Sequence, residues 1–500
     1  MGTRPAEEGA GECSGREPLH PVPGRAVLAV VGAVALVLLA VAPRYGWHRD
    51  ELYFLEAGRH LAWGYVDQPP FTPFVARAAD IVASGNLVVL RLLPALATTV
   101  SVAMGALLVR EMGGARRAQV LGAAAVASGG FLLGAGHLLS TAVFDLAAWM
   151  VLLWLAARLL RTEDPRWWLA FGAVAGLAML NKNLVPLLAV SLGVGLLVER
   201  RWALLWSPWL PLGGAVALVL AAPNLWWQAT NGWPQLDMAE VLAERLAAEN
   251  RATLLPLQVL FAGPALVGFL WAGARRLAAD PEARRFRVVL WAWPAGLVGV
   301  FATGGRPYYV VPLTVVVLLA GLVAVDDAAS VRRAARLVAV NGAASALLAL
   351  PLLPLAAVPV TAAVNEAVAE TVGWPELADQ VAAVVADVTE GDPASVVLLA
   401  ASYGEAGALD RFGPARGLPP AHSPHNGYAD FRQPADEGAT VVAVRFPAER
   451  LAPWFDDCTE VATVDNGLDI DNEVQGAPIV VCRGLTVGWD ELWEVLRFLS

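Results

Sequence analysis

The feature that most constrains this chain is a series of about eleven apolar stretches whose connecting loops alternate between rich and poor in arginine. The stretches are Ala26–Ala42, Leu87–Val109, Gln119–Ala135, Thr141–Ala157, Trp167–Leu180, Leu184–Leu197, Trp202–Ala222, Thr253–Ala274, Val288–Ala302, Tyr308–Val325 and Leu337–Val358. Several reach the length of about 20 residues that an α-helix needs to span a bilayer. The fifth and sixth are shorter, as in a tilted or re-entrant segment. Every second loop collects arginine: Arg110, Arg116 and Arg117; Arg158, Arg161 and Arg166; Arg200 and Arg201; Arg275 to Arg287; Arg332, Arg333 and Arg336. Basic loops stay on the cytoplasmic side. The intervening loops Arg44–Asn86, Pro223–Arg251 and Thr303–Pro307, and everything after Pro359, therefore face outward. The first outer loop also carries arginines, at Arg44, Arg49, Arg59 and Arg77, but it is long and acidic as well.

The fold class implied is an all-α polytopic membrane protein with about eleven transmembrane helices and a small α/β extracytoplasmic domain at the C-terminus. Composition agrees: 57% of the residues are hydrophobic and only 16% charged, against roughly a quarter charged in soluble domains. The net charge of −10, with no basic face outside the short loops, excludes nucleic acid as a partner. Three regions follow: a disordered cytoplasmic leader over 1–25, a transmembrane domain over 26–360 with its large first outer loop at 44–86, and an outer domain over 361–500. The first apolar stretch ends in Ala40-Val41-Ala42, as at a signal-peptide cleavage site, but Pro43 blocks processing and the leader is acidic. It reads as a retained span.

In the tail, Val396–Ala401, Thr440–Arg445 and Pro478–Cys482 have the composition of strands, and Gly404–Arg411, Ala448–Phe455 and Trp489–Leu499 that of helices. Cys458 and Cys482 both lie on the oxidising side, where either a disulfide or two separate structural thiols would serve. Cys13 is cytoplasmic and unpartnered. No Cys/His spacing matches a zinc site.

The first outer loop is the richest in chemistry-bearing residues: Tyr45-Gly46-Trp47-His48-Arg49-Asp50-Glu51-Leu52-Tyr53, then Gly64-Tyr65-Val66-Asp67-Gln68-Pro69-Pro70. Asp50–Trp63 reads as an amphipathic helix lying along the bilayer. Asp50 could cap that helix and Glu51 interact with its dipole. The competing reading makes a carboxylate here a base for a hydroxyl acceptor or a ligand for a divalent cation. Asp145, one turn into the fourth stretch, is an acid inside a span and so a functional candidate, with His137 as its polar neighbour. Of the 35 Lys and Arg residues one alone is lysine, Lys182, in the polar break Asn181-Lys182-Asn183 on the side where loops shed positive charge. It either snorkels to headgroups or holds something anionic. Arg306, in Arg306-Pro307-Tyr308-Tyr309, is a second outer cation, and together the two could neutralise a phosphate. Trp226, Trp227 and Trp233 fit either an interfacial aromatic belt or stacking on a sugar.

The Asp50-Glu51 pair, Gly64 to Pro70, Asn181-Lys182-Asn183 and Arg306-Pro307-Tyr308-Tyr309 resemble the bacterial protein-mannosyltransferase-like group of glycosyltransferase family 39, with the GT-C fold, cousins of the aminoarabinose lipid A transferases. Tyr403-Gly404-Glu405-Ala406-Gly407-Ala408-Leu409 and Ser423-Pro424-His425-Asn426-Gly427-Tyr428 resemble the C-terminal region of a bacterial branch of that family. The resemblance covers Ala26–Cys482. It implies transfer of a sugar from a polyprenyl monophosphate carrier to an extracytoplasmic hydroxyl acceptor, on protein, cell-wall glycan or lipid, typically with inversion. It implies Asp50 as the catalytic carboxylate with Glu51 beside it, and Lys182 and Arg306 as carrier-phosphate ligands; Asp145 is a further catalytic candidate from its place inside a span. His48, Tyr53, His137, Trp227, Tyr308 and Tyr309 are the substrate-binding candidates. Some lipid A transferases have lysine where this chain has Gln68, which shifts the phosphate contact onto Lys182 and Arg306. No metal ligands are assigned; a divalent cofactor, Mg or Mn, stays open. The alternative, a transporter or flippase of a lipid-linked saccharide, would use the same aromatics and cations, but would show repeated broken helices in both halves, which the sequence lacks.

Overall fold

In a computed structural model, residues 19–362, 365–389, 395–435, 438 and 440–500 are described. Most of the leader, with Cys13, lies outside them. Helices occupy all eleven apolar stretches. By length and composition, five described helices can each cross a membrane: Gly24–Val41, Leu87–Glu111, Thr141–Thr162, Trp209–Thr230 and Arg284–Thr303. Two bent pairs could raise that to seven, and Trp167–Met179, Val185–Val198 and Pro307–Leu322 are shorter apolar helices. The expected eleven spans are thus eleven helical segments of unequal kind.

Two of the expected spans are broken. Arg116–Ala127 and Gly130–His137 meet at 59°, and Pro234–Ala262 and Pro264–Ala279 at 82°. The second break falls at Gly263, whose φ of +124° suits glycine, and where a Cβ would sit 2.5 Å from the Asn341 side chain. Asn341 in turn donates to the Ser128 carbonyl at 2.8 Å, beside the first break. The outer stretch Pro223–Arg251 is not a loop. Trp209–Thr230 continues through Pro223, and Pro234–Ala262 runs for 29 residues. Its first half is rich in Glu and Ala, which are strong helix formers, so it is helical although too polar to span. At the arginine-rich end, the buried Glu111 accepts from Arg158 at 2.9 Å and from Arg161.

The tail forms a five-stranded sheet in the order β2-β1-β3-β5-β4, where β1 is Val396–Ala400, β2 Ala421–His422, β3 Thr440–Val444, β4 Phe455–Thr463 and β5 Pro478–Leu485. β1 pairs in parallel with β2 and β3, while β5 runs antiparallel to β3 and β4. The period of two sorts the strands onto two faces. Val397, Leu399, Val441, Ala443 and Val480 pack under Trp489, Leu492 and Trp493. Val396, Leu398, Val442, Val444 and Val481 face the other way and share one core with Trp47, Leu52, Tyr53 and Phe54 of the first outer loop. The outer loop and the tail are therefore one packed body. That corrects the expected bilayer-lying helix. It is Arg49–Arg59, and Glu51 to Gly58 are buried in protein; of the apolar residues in the expected stretch only Leu61 and Trp63, beyond the helix end, are exposed.

The expected Ala448–Phe455 helix is one α-turn, Ala448–Leu451, continued by a 3-10 turn, Ala452–Trp454, and Phe455 begins β4. β4 was not foreseen, because an edge strand keeps an acidic, exposed face. Cys458 and Cys482 are opposed on β4 and β5 and joined by a disulfide, which settles the alternative left open.

Candidate active site

The start of the Arg49–Arg59 helix places the site. His48, not Asp50, caps it: the His48 Nδ1 accepts the Asp50 N–H at 3.1 Å, and Glu51 Oε2 accepts the His48 N–H at 3.0 Å. Glu51 is fully buried, and four donors saturate it: Arg91 Nε at 2.8 Å, Arg91 Nη2 at 2.6 Å, the Leu139 N–H at 2.9 Å and the His48 N–H. A carboxylate so occupied has no free lone pair for a substrate proton, and it does not line the cavity described below. Glu51 is thus a structural anchor. Arg91 also donates to the carbonyls of Ala42 at 2.6 Å and Gly46 at 2.7 Å, and contacts His137 Nε2 at 3.3 Å. This knot fixes the turn that presents Asp50.

Asp50 opens into a cavity of about 710 Å³ between the helical domain and the tail. Its side chain is 35% exposed. Burial raises its pKa, but His48, Arg49, a hydrogen bond from the Tyr403 hydroxyl and Arg306 together outweigh that and hold the carboxyl below its ordinary value. Asp50 is therefore ionised at neutral pH. Burial keeps His48 neutral, which suits its capping role. Arg49 lies 3.6 Å from Asp50 and is paired with Glu473 of the tail. Glu370, on the same wall, is pushed up to about 7 by burial, and by Glu473 against the pull of Arg49.

His48, His137, Arg306 and Tyr308 line the same cavity. Arg306 is exposed and makes no side-chain hydrogen bond or ion pair among the described residues. Lys182 does not line it. Its Nζ donates to the Tyr308 hydroxyl at 2.7 Å and sits over the rings of Tyr308 and Tyr309, at 4.7 and 4.8 Å. Lys182 thus meets the cavity through Tyr308. Its flanking amides are ties: Asn181 bonds Thr72 and the Thr141 carbonyl, and Asn183 bonds Gln235.

Asp145 is buried on Thr141–Thr162 and is not among the cavity-lining residues. Trp227 packs closely against Gly64, away from the cavity. Tyr53 lies behind Asp50, donating to Asp67 at 3.0 Å and stacked on Tyr403 at 4.7 Å. The residues that sequence reasoning did not single out are Arg91, Tyr403, Glu370 and Glu473. For Arg91 a signal existed, since it is a cation at the outer end of an apolar stretch, like Lys182. For Tyr403 the signal was its motif; for the two glutamates there was none. Among the described residues no group of three or more His, Cys, Asp or Glu is arranged to hold a metal ion.

The arrangement has counterparts. Residues 67–227 match the family of dolichyl-phosphate-mannose-protein mannosyltransferases. ArnT from Cupriavidus metallidurans bound to undecaprenyl phosphate is 20% identical, with 91% of this chain and 97% of that chain covered and a TM-score of 0.59. Its apo state gives 18%, 92% and 98%, with a TM-score of 0.55. The chain has the GT-C fold. The mycobacterial arabinofuranosyltransferase AftD is similar at 16% identity over 94% of this chain and 40% of its own, with a TM-score of 0.50. No curated protein matches at a significant level. The GT-C likeness runs through membrane helices and tail alike, and the mannosyltransferase-like segment contains Asp67, Arg91, Asp145 and Lys182. The chain is thus a multi-pass membrane protein with the GT-C fold, similar over residues 67–227 to the mannosyltransferase family.

Proposed function

We propose that this protein is a membrane glycosyltransferase that moves a sugar from a polyprenyl-monophosphate carrier to a hydroxyl acceptor outside the cytoplasm. The observation that carries this reading is one cavity holding both an ionised carboxylate, Asp50, and a cation, Arg306, that forms no ion pair among the described residues. The ArnT relative bound to undecaprenyl phosphate supports the carrier class. Asp50 takes the proton of the acceptor hydroxyl as its oxygen forms a bond to the anomeric carbon. The bond from that carbon to the phosphate oxygen breaks, its electron pair leaves with the phosphate, and the configuration inverts. Arg306 meets the growing phosphate charge, and the Tyr308 hydroxyl, held by Lys182, does so beside it. A monophosphate leaves readily, so holding the two substrates in line supplies much of the acceleration.

The side facing Asp50, Arg306 and the tail is read as extracytoplasmic from the arginine pattern. Incubating the purified protein with radiolabelled undecaprenyl-phosphate mannose, glucose and arabinose, with envelope extract as acceptor, tests the reading. Label is expected to leave one donor for an acceptor in the native protein and not in Asp50→Asn. Full transfer by Asp50→Asn would remove the base. Movement of labelled lipid across a vesicle membrane without transfer would favour a flippase.

A further inference from the structure

Tyr403 belongs to the tail, yet its hydroxyl donates to Asp50 Oδ1 at 2.9 Å. Its ring is clamped on both faces. Tyr53 stacks on one side at 4.7 Å, and His425 on the other at 4.8 Å with 17° between the planes. His425 in turn stacks on Phe498 at 4.5 Å and its Nε2 meets the Ser500 hydroxyl at 2.6 Å. The ring therefore cannot swing without dismantling a four-ring column.

The backbone beneath it is equally fixed. Tyr403 is the first residue of the helix Tyr403–Phe412, whose cap Ser402 and third residue Glu405 bond reciprocally. Glu405 is fully buried and accepts from Arg445 at 2.8 Å, and Arg445 reaches Glu473, the partner of Arg49. This helix lies directly on the Asp50 helix. A Cβ at Gly407 would sit 2.9 Å from the Leu52 Cβ, and one at Gly404 3.1 Å from the Arg49 Cβ. The glycines are what let the Tyr403 hydroxyl reach the carboxylate.

We infer that Tyr403 is a positioning residue: its hydroxyl fixes the rotamer of Asp50 and leaves the other carboxylate oxygen free for the acceptor proton, so that the tail completes the active site. This rests on the reading of Asp50 as the base. The bond occupies Oδ1 and leaves Oδ2, which lies 3.8 Å from His48 Nδ1. Tyr403 is itself not the base, because burial and then the charge of Asp50 push its pKa up.

The charged and titratable groups facing Asp50 are His48 and Arg49 on its own element, Arg306 and Tyr308 from the membrane domain, Asp67 from the outer loop, and Glu370 and Tyr403 from the tail side. All except Tyr403 stay in place in Tyr403→Phe, which keeps the ring column and removes one hydroxyl. With whichever undecaprenyl-phosphate sugar is turned over, this variant is expected to lower kcat about ten- to hundredfold, since a misoriented group loses rate on that scale. Donor KM is expected to stay within about twofold, because no donor contact is removed. The acidic limb of the kcat–pH profile is expected to move to higher pH, as the lost hydrogen bond no longer favours the carboxylate. The limb's position does not depend on how much protein is folded, so it decides even if yield falls.

An unmoved limb, or a kcat within twofold of the native value, while Asp50→Asn is dead, overturns the role of Tyr403 alone. An active Asp50→Asn overturns the base and this inference with it.

Discussion

Glu51 and Asp50 are neighbours in sequence with opposite expected behaviour, and exchanging each for its amide separates them. Glu51 is 0% exposed and Arg91 1%. In Glu51→Gln one oxygen becomes an amide nitrogen facing two donors: Arg91 Nε and the Leu139 N–H if it replaces Oε1, or Arg91 Nη2 and the His48 N–H if it replaces Oε2. Two hydrogen bonds are lost either way, and the Arg91 guanidinium is left buried without its counter-charge. Breaking a buried pair from one side costs about 3–5 kcal/mol. The variant is therefore expected to lose that stability in urea unfolding of the detergent-solubilised protein. Its surviving folded fraction keeps turnover within a few-fold of the native protein, after correction for active enzyme. Asp50→Asn is expected to do the reverse. Its side chain is a third exposed, and the amide oxygen can still accept from Tyr403, so the unfolding midpoint stays put while transfer collapses. A Glu51→Gln protein as stable as the native one but inactive would refute the reasoning and return Glu51 to the chemistry.

Lys182→Gln is expected to weaken donor binding about two- to tenfold, the value of the one hydrogen bond of roughly 0.5–1.5 kcal/mol by which it holds the Tyr308 hydroxyl. Because Lys182 acts through Tyr308, combining it with Tyr308→Phe is expected to add little; donor titrations that overlay the native curve would leave Lys182 a membrane anchor. The Cys458–Cys482 bridge closes a loop of sequence separation 24, so changing both cysteines to serine is expected to cost about 2–4 kcal/mol of tail stability; an unchanged melting temperature under oxidising conditions would contradict this. Burial pushes Asp67 up to about 7, so the folded protein holds a proton that the unfolded chain releases near pH 4. The stability this contributes is complete below about pH 4 and is lost as pH rises through about 7. Asp67→Asn is expected to flatten that decline in melting temperature, and an identical slope in both proteins would count against it.

What sequence made legible was set by periodicity and charge. Apolar length places helix in each of the eleven stretches, because burial in lipid leaves few other solutions for the backbone. Several bounds shift, however: the expected Leu337–Val358 is the helix Ala328–Ala349, and Trp202–Ala222 is mainly Trp209–Thr230. The break at Gly263 was not legible, since it depends on Asn341 arriving from 78 positions away in the chain, as their numbers give. The polar half of Pro234–Ala262 was lost among loop-like charges, although Glu, Ala and Leu favour helix there. At the site, the Asp50-Glu51 pair stood out, but which of the two is free depends on Arg91 and Leu139, and no spacing rule encodes those partners. Lys182 stood out as a lone cation, and only the fold inserts Tyr308 between it and the cavity. β3 and β5 announced themselves by β-branched runs, whereas β4, acidic and at an edge, had the composition of a loop.

The shared core of the first outer loop and the tail sets an order of assembly. Asp50 and Tyr403 are separated by 353 residues, and at about 5–20 residues per second the ribosome needs roughly 20–70 s to make the intervening chain. For that interval the apolar face of Arg49–Arg59 has been made, but nothing yet exists to cover it. A nascent chain caught in this state would expose Leu52, Phe54 and Leu55, side chains that are at most 6% exposed in the finished molecule. Chaperones and proteases would therefore meet the protein at its most vulnerable just before the tail emerges. Turnover would begin as a single late event, with no partially active forms along the way.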